Sequence, residues 1–256
     1  MVDMGFTLSQ TTWTFSLAIL MLGLSAGFLG SFAEKIGPKK SGLLAMLFWV
    51  AGLFGTAYAL SIHNLTLLYL FYGIIGGIGL GIGYITPVST LVKYFPNRPG
   101  FATGLAIMGF GFASLIAGPL MQFLVAQVGL VNNFIILGVI YLVVMGASSL
   151  YLKAPQPKQP PRTTKDKSTM YVHNHGLLAN DAMKTWQFGA LWWIFFINIT
   201  CGIGLLSLAS PMAQETIGMT PAAAASLVGI IGIFNGGGRI VWSTISDYIG
   251  RAQTYI

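Results

Sequence analysis

The chain is dominated by long apolar runs that short charged or polar segments interrupt. A helix that crosses a bilayer needs about 20 apolar residues, so the length of each run sets how many spans it can hold. Seven spans are predicted on this basis. They lie in residues 11–33, in 41–92 (two, with a polar break at 61–64), in 99–152 (two, divided near 127–133), in 191–210 and in 221–246.

The composition supports an all-α, polytopic membrane helix bundle. Of the 256 residues, 55% are hydrophobic and 7% are charged, too few charges to cover a water-soluble surface. The net charge of +7 does not indicate a nucleic-acid partner, because the basic residues flank apolar spans. The single cysteine, Cys201, excludes an internal disulfide framework and a multi-cysteine metal site. We expect neither a metal nor another cofactor.

Basic residues are distributed unevenly between the two sides of the membrane. When successive turns are placed alternately, all basic residues except Arg239 fall on one side, which we expect to be the cytoplasm of a cell with this chain in its inner (plasma) membrane. Residues 153–187, rich in proline and basic residues, are predicted to be a cytoplasmic linker. The N-terminus then lies outside without an export signal, so we expect a helix before Met1.

One turn sequence occurs twice. Residues 30–40 (GSFAEKIGPKK) and 243–253 (STISDYIGRAQ) align at an offset of 213, and each has an acid, then Ile-Gly, then a base. Six predicted spans separate the copies, so the repeating unit is six helices. Parallel repeats about an axis normal to the membrane are typical of major facilitator transporters.

The repeated turn resembles the loop motif of the major facilitator superfamily, found between helices 2 and 3 and again between helices 8 and 9. The resemblance implies a six-plus-six helix fold, incomplete here with about seven spans. Residues 1–152 would be the N-terminal half without helix 1, 153–187 the linker, and 188–256 helices 7 and 8 with the start of helix 9. Further strings resemble the oxalate/formate antiporter family: GYITP at 83–87, KYFP at 93–96, ATGLAIMGFG at 102–111, NITCGIG at 198–204, SPMAQ at 210–214 and FNGGGR at 234–239.

The family resemblance implies a secondary active transporter of small organic anions, such as oxalate and formate or lactate and pyruvate, and not an enzyme. A counter-anion or a proton would be the second partner, beside the lipid bilayer. Many proton-coupled members carry an arginine four residues before a glycine of helix 4, where this chain has Tyr72 before Gly76. Proton-linked monocarboxylate symport stays an alternative to exchange, as do a non-functional fragment and a seven-helix receptor.

Arg239 is the leading candidate ligand. A charge inside a span costs at least about 2.5 to 3.5 kcal/mol, so it normally faces a protein interior or a cavity. Alternatively, Arg239 snorkels, which means that its long side chain extends to place the guanidinium at the membrane surface. Arg239 precedes Asp247, in the turn at that surface, by about 12 Å of helical rise. The resemblance implies that Arg239 binds a carboxylate, which a guanidinium matches as a two-pronged fork. Asn235 shares its helix face, and Tyr84 and Asn198 complete the predicted substrate-binding set, although packing explains these two equally well.

Two acids stand at helix C-terminal ends, where the helix macrodipole disfavours them unless a base or another helix end is near. The resemblance implies that they latch neighbouring helices in one state, whereas a solvated loop charge is the alternative. The predicted latch motif comprises Gly30, Glu34, Gly37, Lys39, Asp247, Gly250 and Arg251. The glycine run at residues 76–83 is predicted to serve close helix packing and not dinucleotide binding, because no strand precedes it.

Overall fold

The computed structural model describes residues 5–154 and 179–255, and within these ranges the regular structure is helical. Of the helices in the described part, six are long and apolar enough to cross a membrane. The all-α membrane bundle is therefore confirmed. The helices are α1 (Leu8–Ile36), α2 (Pro38–Ser61), α3 (Leu65–Tyr94), α4 (Pro99–Tyr151), α5 (Ala179–Ala182), α6 (Trp186–Ile217), α7 (Pro221–Ile249) and α8 (Arg251–Tyr255).

The longest helix, α4, is two spans joined at a glycine. Its 53 residues run through Gly129, whose φ of 80° and ψ of 170° are not helical. At 1.5 Å of rise per residue, the arms on either side of Gly129 are about 45 Å and about 33 Å long, so each can cross a bilayer. Within the described residues the structure therefore contains seven spanning segments, as predicted, and the break falls inside the predicted interval.

Short capped turns separate the first three helices. Gly37, with a φ of 83°, reverses the chain, and Pro38 opens α2 at a position where a missing N–H costs nothing. The predicted polar break before α3 is confirmed, because Asn64 caps that helix by accepting a hydrogen bond from the Leu67 N–H at 3.0 Å. The start of α3 is therefore capped by its own turn, whereas no side chain caps the start of α2.

The chain divides into two compact units. The first comprises residues 1–155 and 225–256, in which α2 packs against α3 and α4, and α1 packs against α3. Its apolar core includes Leu53, Leu60 and Phe134. The second, residues 156–224, contains α5 and α6, and the side chains along the apolar part of α6 are exposed. Most of the predicted linker lies outside the described residues.

Glycines on α3 allow neighbouring helices to approach closely. A Cβ atom added at Gly52 of α2 would lie 2.8 Å from the Cα of Gly76, and one added at Gly77 would lie 2.8 Å from the Ala18 carbonyl oxygen of α1. A side chain at either position would separate the helices, so the predicted packing role of this run is confirmed.

Tyr72 lies on a π-helical segment of α3, Tyr69–Gly76, and packs among aromatic rings. Its ring centroid is 6.0 Å from that of Trp49 on α2 and 6.2 Å from that of Phe134 on α4. The residue that occupies the position of the superfamily arginine thus contributes to the apolar core.

Candidate functional site

Arg239 lies in the second half of α7 and is partly buried. Its Nε donates a hydrogen bond of 3.1 Å to Oδ1 of Asn235, one turn earlier on the same face. No carboxylate of residues 5–154 or 179–255 lies within 4 Å of the guanidinium nitrogens. In the described part of the chain, Asn235 therefore orients this cation and no acid neutralises it.

Three helices of the first unit meet around Arg239. The Tyr84 hydroxyl of α3 lies within electrostatic range of the guanidinium. The Tyr84 ring stands edge-on to the ring of Phe110 on α4, with the centroids 5.9 Å apart. The structure thus brings together three residues of the predicted binding set, Arg239, Asn235 and Tyr84. The sequence pattern did not indicate Phe110, although it lies beside Gly111 in a string that carries the family resemblance.

Glycine contacts fix α7 against α4 at the level of the arginine. A Cβ atom added at Gly236 would lie 3.0 Å from the Met108 carbonyl oxygen, and one added at Gly104 would lie 2.8 Å from the carbonyl oxygen of Arg239 itself. That oxygen also accepts a hydrogen bond from the Ser243 hydroxyl. Close backbone contact leaves little freedom for α7 to slide, so the position of Arg239 relative to α4 is well defined.

Asn198 is the remaining member of the predicted binding set. It lies on α6, in the second unit, and its side chain is exposed. Its role stays a prediction.

The second copy of the repeated turn caps another helix. Oδ1 of Asp247 accepts a 2.9 Å hydrogen bond from the Gly100 N–H, and Oδ2 accepts a 2.8 Å bond from the Phe101 N–H. These are the second and third residues of α4, whose own N-cap, Arg98, provides no side-chain hydrogen bond. Asp247 thus supplies from α7 the acceptor that an Asp or Ser at the N-cap would normally supply.

Basic residues surround this carboxylate. Its side chain is 7% exposed and forms an ion pair of 2.7 Å with Arg251, which also donates a hydrogen bond to Ser246. Arg98 lies over the Tyr248 ring at 5.8 Å, a cation–π contact that joins the same two helices. The end of α7 and the start of α4 are therefore held by charge-assisted contacts.

The first copy of the turn has a different partner. Glu34, at the end of α1, forms an ion pair of 3.1 Å with Lys93 in the last turn of α3, and both side chains are about half exposed. Gly30 contacts α3 at Ile85, while Lys39 is exposed and has no ion pair with another described residue. Lys93 was not in the predicted latch motif, although it opens the KYFP string at the end of that helix.

The described residues thus form a multi-pass helix bundle with a repeated turn and an arginine that no described acid neutralises. The family model described as Major Facilitator Superfamily matches residues 1–256. The chain belongs to this superfamily, whose members are transporters and not enzymes.

Individual relatives agree with the family. An uncharacterized MFS-type transporter, YhjX of Escherichia coli strain K12, is 32% identical over 247 residues, which are 96% of this chain and 59% of that protein. The oxalate:formate antiporter of Oxalobacter formigenes is 26% identical over 98% of this chain and 58% of its own length. The apicoplast pyruvate carrier 1 of Toxoplasma gondii is 22% identical over 95% of this chain and 54% of its own. The chain thus spans little more than half of each relative.

Proposed function

We propose that this protein is a secondary active transporter of small carboxylate anions, with Arg239 as the ligand of the carboxylate. The observation that carries the proposal is the partly buried guanidinium, which Asn235 orients and which no described acid neutralises. A guanidinium has five N–H donors, and Asn235 takes the one on Nε. The two terminal nitrogens then offer a carboxylate a two-pronged hydrogen-bonded pair.

The surroundings of Arg239 fit a small, flat anion. Tyr84 adds a hydroxyl within electrostatic range of the guanidinium, and its ring packs edge-to-face with the ring of Phe110. A relative named for oxalate and formate and another named for pyruvate support the substrate class, since all three molecules are small carboxylates. Asn198 would contribute from α6.

Transport would follow alternating access between two six-helix halves. Residues 1–152 belong to one half, 188–256 begin the other, and 153–187 form a linker that lies in the cytoplasm together with both repeated turns. Asp247 would hold α7 to α4 in one state and release it in the other. The first candidate for the transport mechanism is exchange of one anion for another. Proton-linked symport of a monocarboxylate is the second, and a relative named monocarboxylate transporter 14 supports that substrate class.

Uptake of labelled oxalate, formate, pyruvate and lactate into proteoliposomes tests the proposal. Losing a charge-assisted bond costs about 1.5 to 3 kcal/mol, so Arg239→Gln should weaken apparent affinity by about tenfold to a hundredfold. Arg239→Lys keeps the charge but loses the fork, and should fall between Arg239→Gln and the native protein. Stimulation of uptake by internal anion indicates exchange, and stimulation by an inward proton gradient indicates symport.

Two further variants make the test specific. Tyr84→Phe removes one neutral hydroxyl and should weaken affinity by a few-fold, in line with about 1 kcal/mol for a neutral hydrogen bond. Lys184→Gln changes an exposed lysine in the second unit and should transport normally. Native affinity in an Arg239→Gln protein that is well expressed in the membrane would show that the arginine is a snorkelling residue and not a ligand.

A further inference from the structure

Five exposed lysines lie where four spans of the first unit end. Each is at or beside a helix terminus: Lys35 at the end of α1, Lys39 and Lys40 at the start of α2, Lys93 at the end of α3, and Lys153 just after α4. We call these five residues the lysine cluster. Arg239, deep within α7, does not belong to it.

Tertiary contacts bring these helix ends together. A small cavity of about 70 Å³ lies between these helix ends. Four helices contribute to its lining: Ala33 and Glu34 from α1, Gly37 and Pro38 from the start of α2, Thr86, Ser89, Thr90 and Lys93 from α3, and Ala154, which follows Lys153. The Tyr94 hydroxyl donates a hydrogen bond of 3.0 Å to the Lys153 carbonyl oxygen. The lysines that flank these lining residues in sequence therefore share one end of the bundle.

Described acids neutralise only one of the five lysines of the cluster. Glu34 pairs with Lys93 at 3.1 Å, and none of the other four lysines forms an ion pair with a residue in the described ranges. The first turn of α2 contains no acid, and no side chain caps it. The positive end of the helix macrodipole therefore adds to the charge of Lys39 and Lys40. By contrast, the start of α4 receives the carboxylate of Asp247.

We propose that the lysine cluster binds the phosphate-bearing headgroup of an anionic phospholipid. Clusters of four to eight basic residues beside spanning helices attract anionic lipids. A lipid fits better than a free phosphate because Phe28 and Phe32, exposed on the last turns of α1, precede Lys35 and can contact acyl chains. This site does not rest on the proposed transport function.

Native mass spectrometry and thermal melting of the intact protein test the proposal. The probe is phosphatidylglycerol titrated into phosphatidylcholine, with inorganic phosphate as a separate arm. We expect the native protein to retain phosphatidylglycerol and to melt at a higher temperature with it, and we expect no such effect of inorganic phosphate. A triple variant, Lys39→Gln with Lys40→Gln and Lys153→Gln, should lose at least about tenfold in apparent affinity, because three charges that attract the headgroup are removed.

Two controls separate a site from a general charge effect. Lys184→Gln removes an exposed positive charge from the second unit and should leave retention unchanged. The corresponding triple arginine variant keeps the charges and should restore binding. Melting in phosphatidylcholine alone checks that each variant is folded. Equal retention by the native protein and a folded triple glutamine variant would overturn the proposal, as would an equal loss in Lys184→Gln or an equal response to inorganic phosphate.

Discussion

The two copies of the repeated turn share their local structure and differ in what their acids contact. In both, a spanning helix ends in an acid followed by Ile-Gly, and the glycine adopts a positive φ, 83° at Gly37 and 94° at Gly250. Glu34 is about half exposed and pairs with a lysine side chain. Asp247 is 7% exposed and accepts two backbone N–H groups of another helix. The same motif is a surface ion pair in one copy and a buried cap in the other.

The partner explains why these contacts differ in strength. Helix N-terminal N–H groups are already fixed by the backbone and lack acceptors of their own, so a carboxylate gains two bonds without ordering a flexible partner. An exposed lysine must give up side-chain freedom to pair, and water competes for both charges. A repeated motif therefore specifies the shape of a turn, whereas its contribution to stability depends on the helix that lies next to it.

Removing the cap at Asp247 should have the largest effect. Asp247→Ala leaves the Gly100 and Phe101 N–H groups without their acceptors and Arg251 without its partner. Hydrogen bonds to charged groups contribute about 1.5 to 3 kcal/mol each, and a loss of this size lowers the melting temperature by several degrees in a chain of this length. Thermal melting in detergent measures it. Transport should change as well if the cap favours one facing state.

Two milder substitutions at the same site should destabilise the protein less than Asp247→Ala does. Asp247→Asn keeps one acceptor oxygen, so its melting temperature should fall between those of Asp247→Ala and the native protein. Arg251→Gln keeps both backbone contacts and loses an ion pair whose arginine is more than half exposed, which should cost no more than about 1 kcal/mol. If Arg251→Gln destabilised the protein as much as Asp247→Ala, the ion pair and not the helix cap would be the main contribution.

The spans and turns were predictable because they depend on local sequence. The length of an apolar run limits how many helices it holds, and Gly129 falls where the polar residues of the 99–152 run predicted a division. Helix ends were less predictable: α6 extends from Trp186 to Ile217, beyond the predicted 191–210, because polar residues at the ends of a run continue a helix once it has formed.

The site was predictable only in part, for a related reason. The spacing of four residues placed Asn235 beside Arg239, and the hydrogen bond between them confirms that they share a face. Two other contacts form between residues of different helices. Phe110 packs against Tyr84, and Lys93 pairs with Glu34. Such pairs depend on which helices are neighbours and on how far each is shifted along its axis. A single sequence does not specify either of these directly.

Alanine at Gly37 and alanine at Gly250 should destabilise the protein equally. Comparing the two substitutions tests whether the positive φ of the glycine has the same role in both turns. Both have a positive φ, and neither would place a Cβ within 4 Å of another group, so alanine meets backbone strain and no packing clash. The cost at each should be about 1 to 2 kcal/mol. Matched melting curves of Gly37→Ala and Gly250→Ala measure it. A much larger loss at Gly250 would mean that the Asp247 contacts depend on that turn geometry.

The smallest effect is expected at Glu34. Exposed ion pairs contribute at most about 1 kcal/mol, so Glu34→Gln should barely change the melting temperature. A double-mutant cycle with Lys93→Gln in neutral lipid isolates the pair and should give a coupling energy of about 0.2 to 1 kcal/mol. This coupling should shrink in 1 M salt, where the screening length falls to about 3 Å, whereas the buried contacts of Asp247 should be less sensitive. A Glu34–Lys93 coupling above about 2 kcal/mol that salt does not change would remove the distinction between the two turns, since it would show that the first acid is also held in a site that water does not reach.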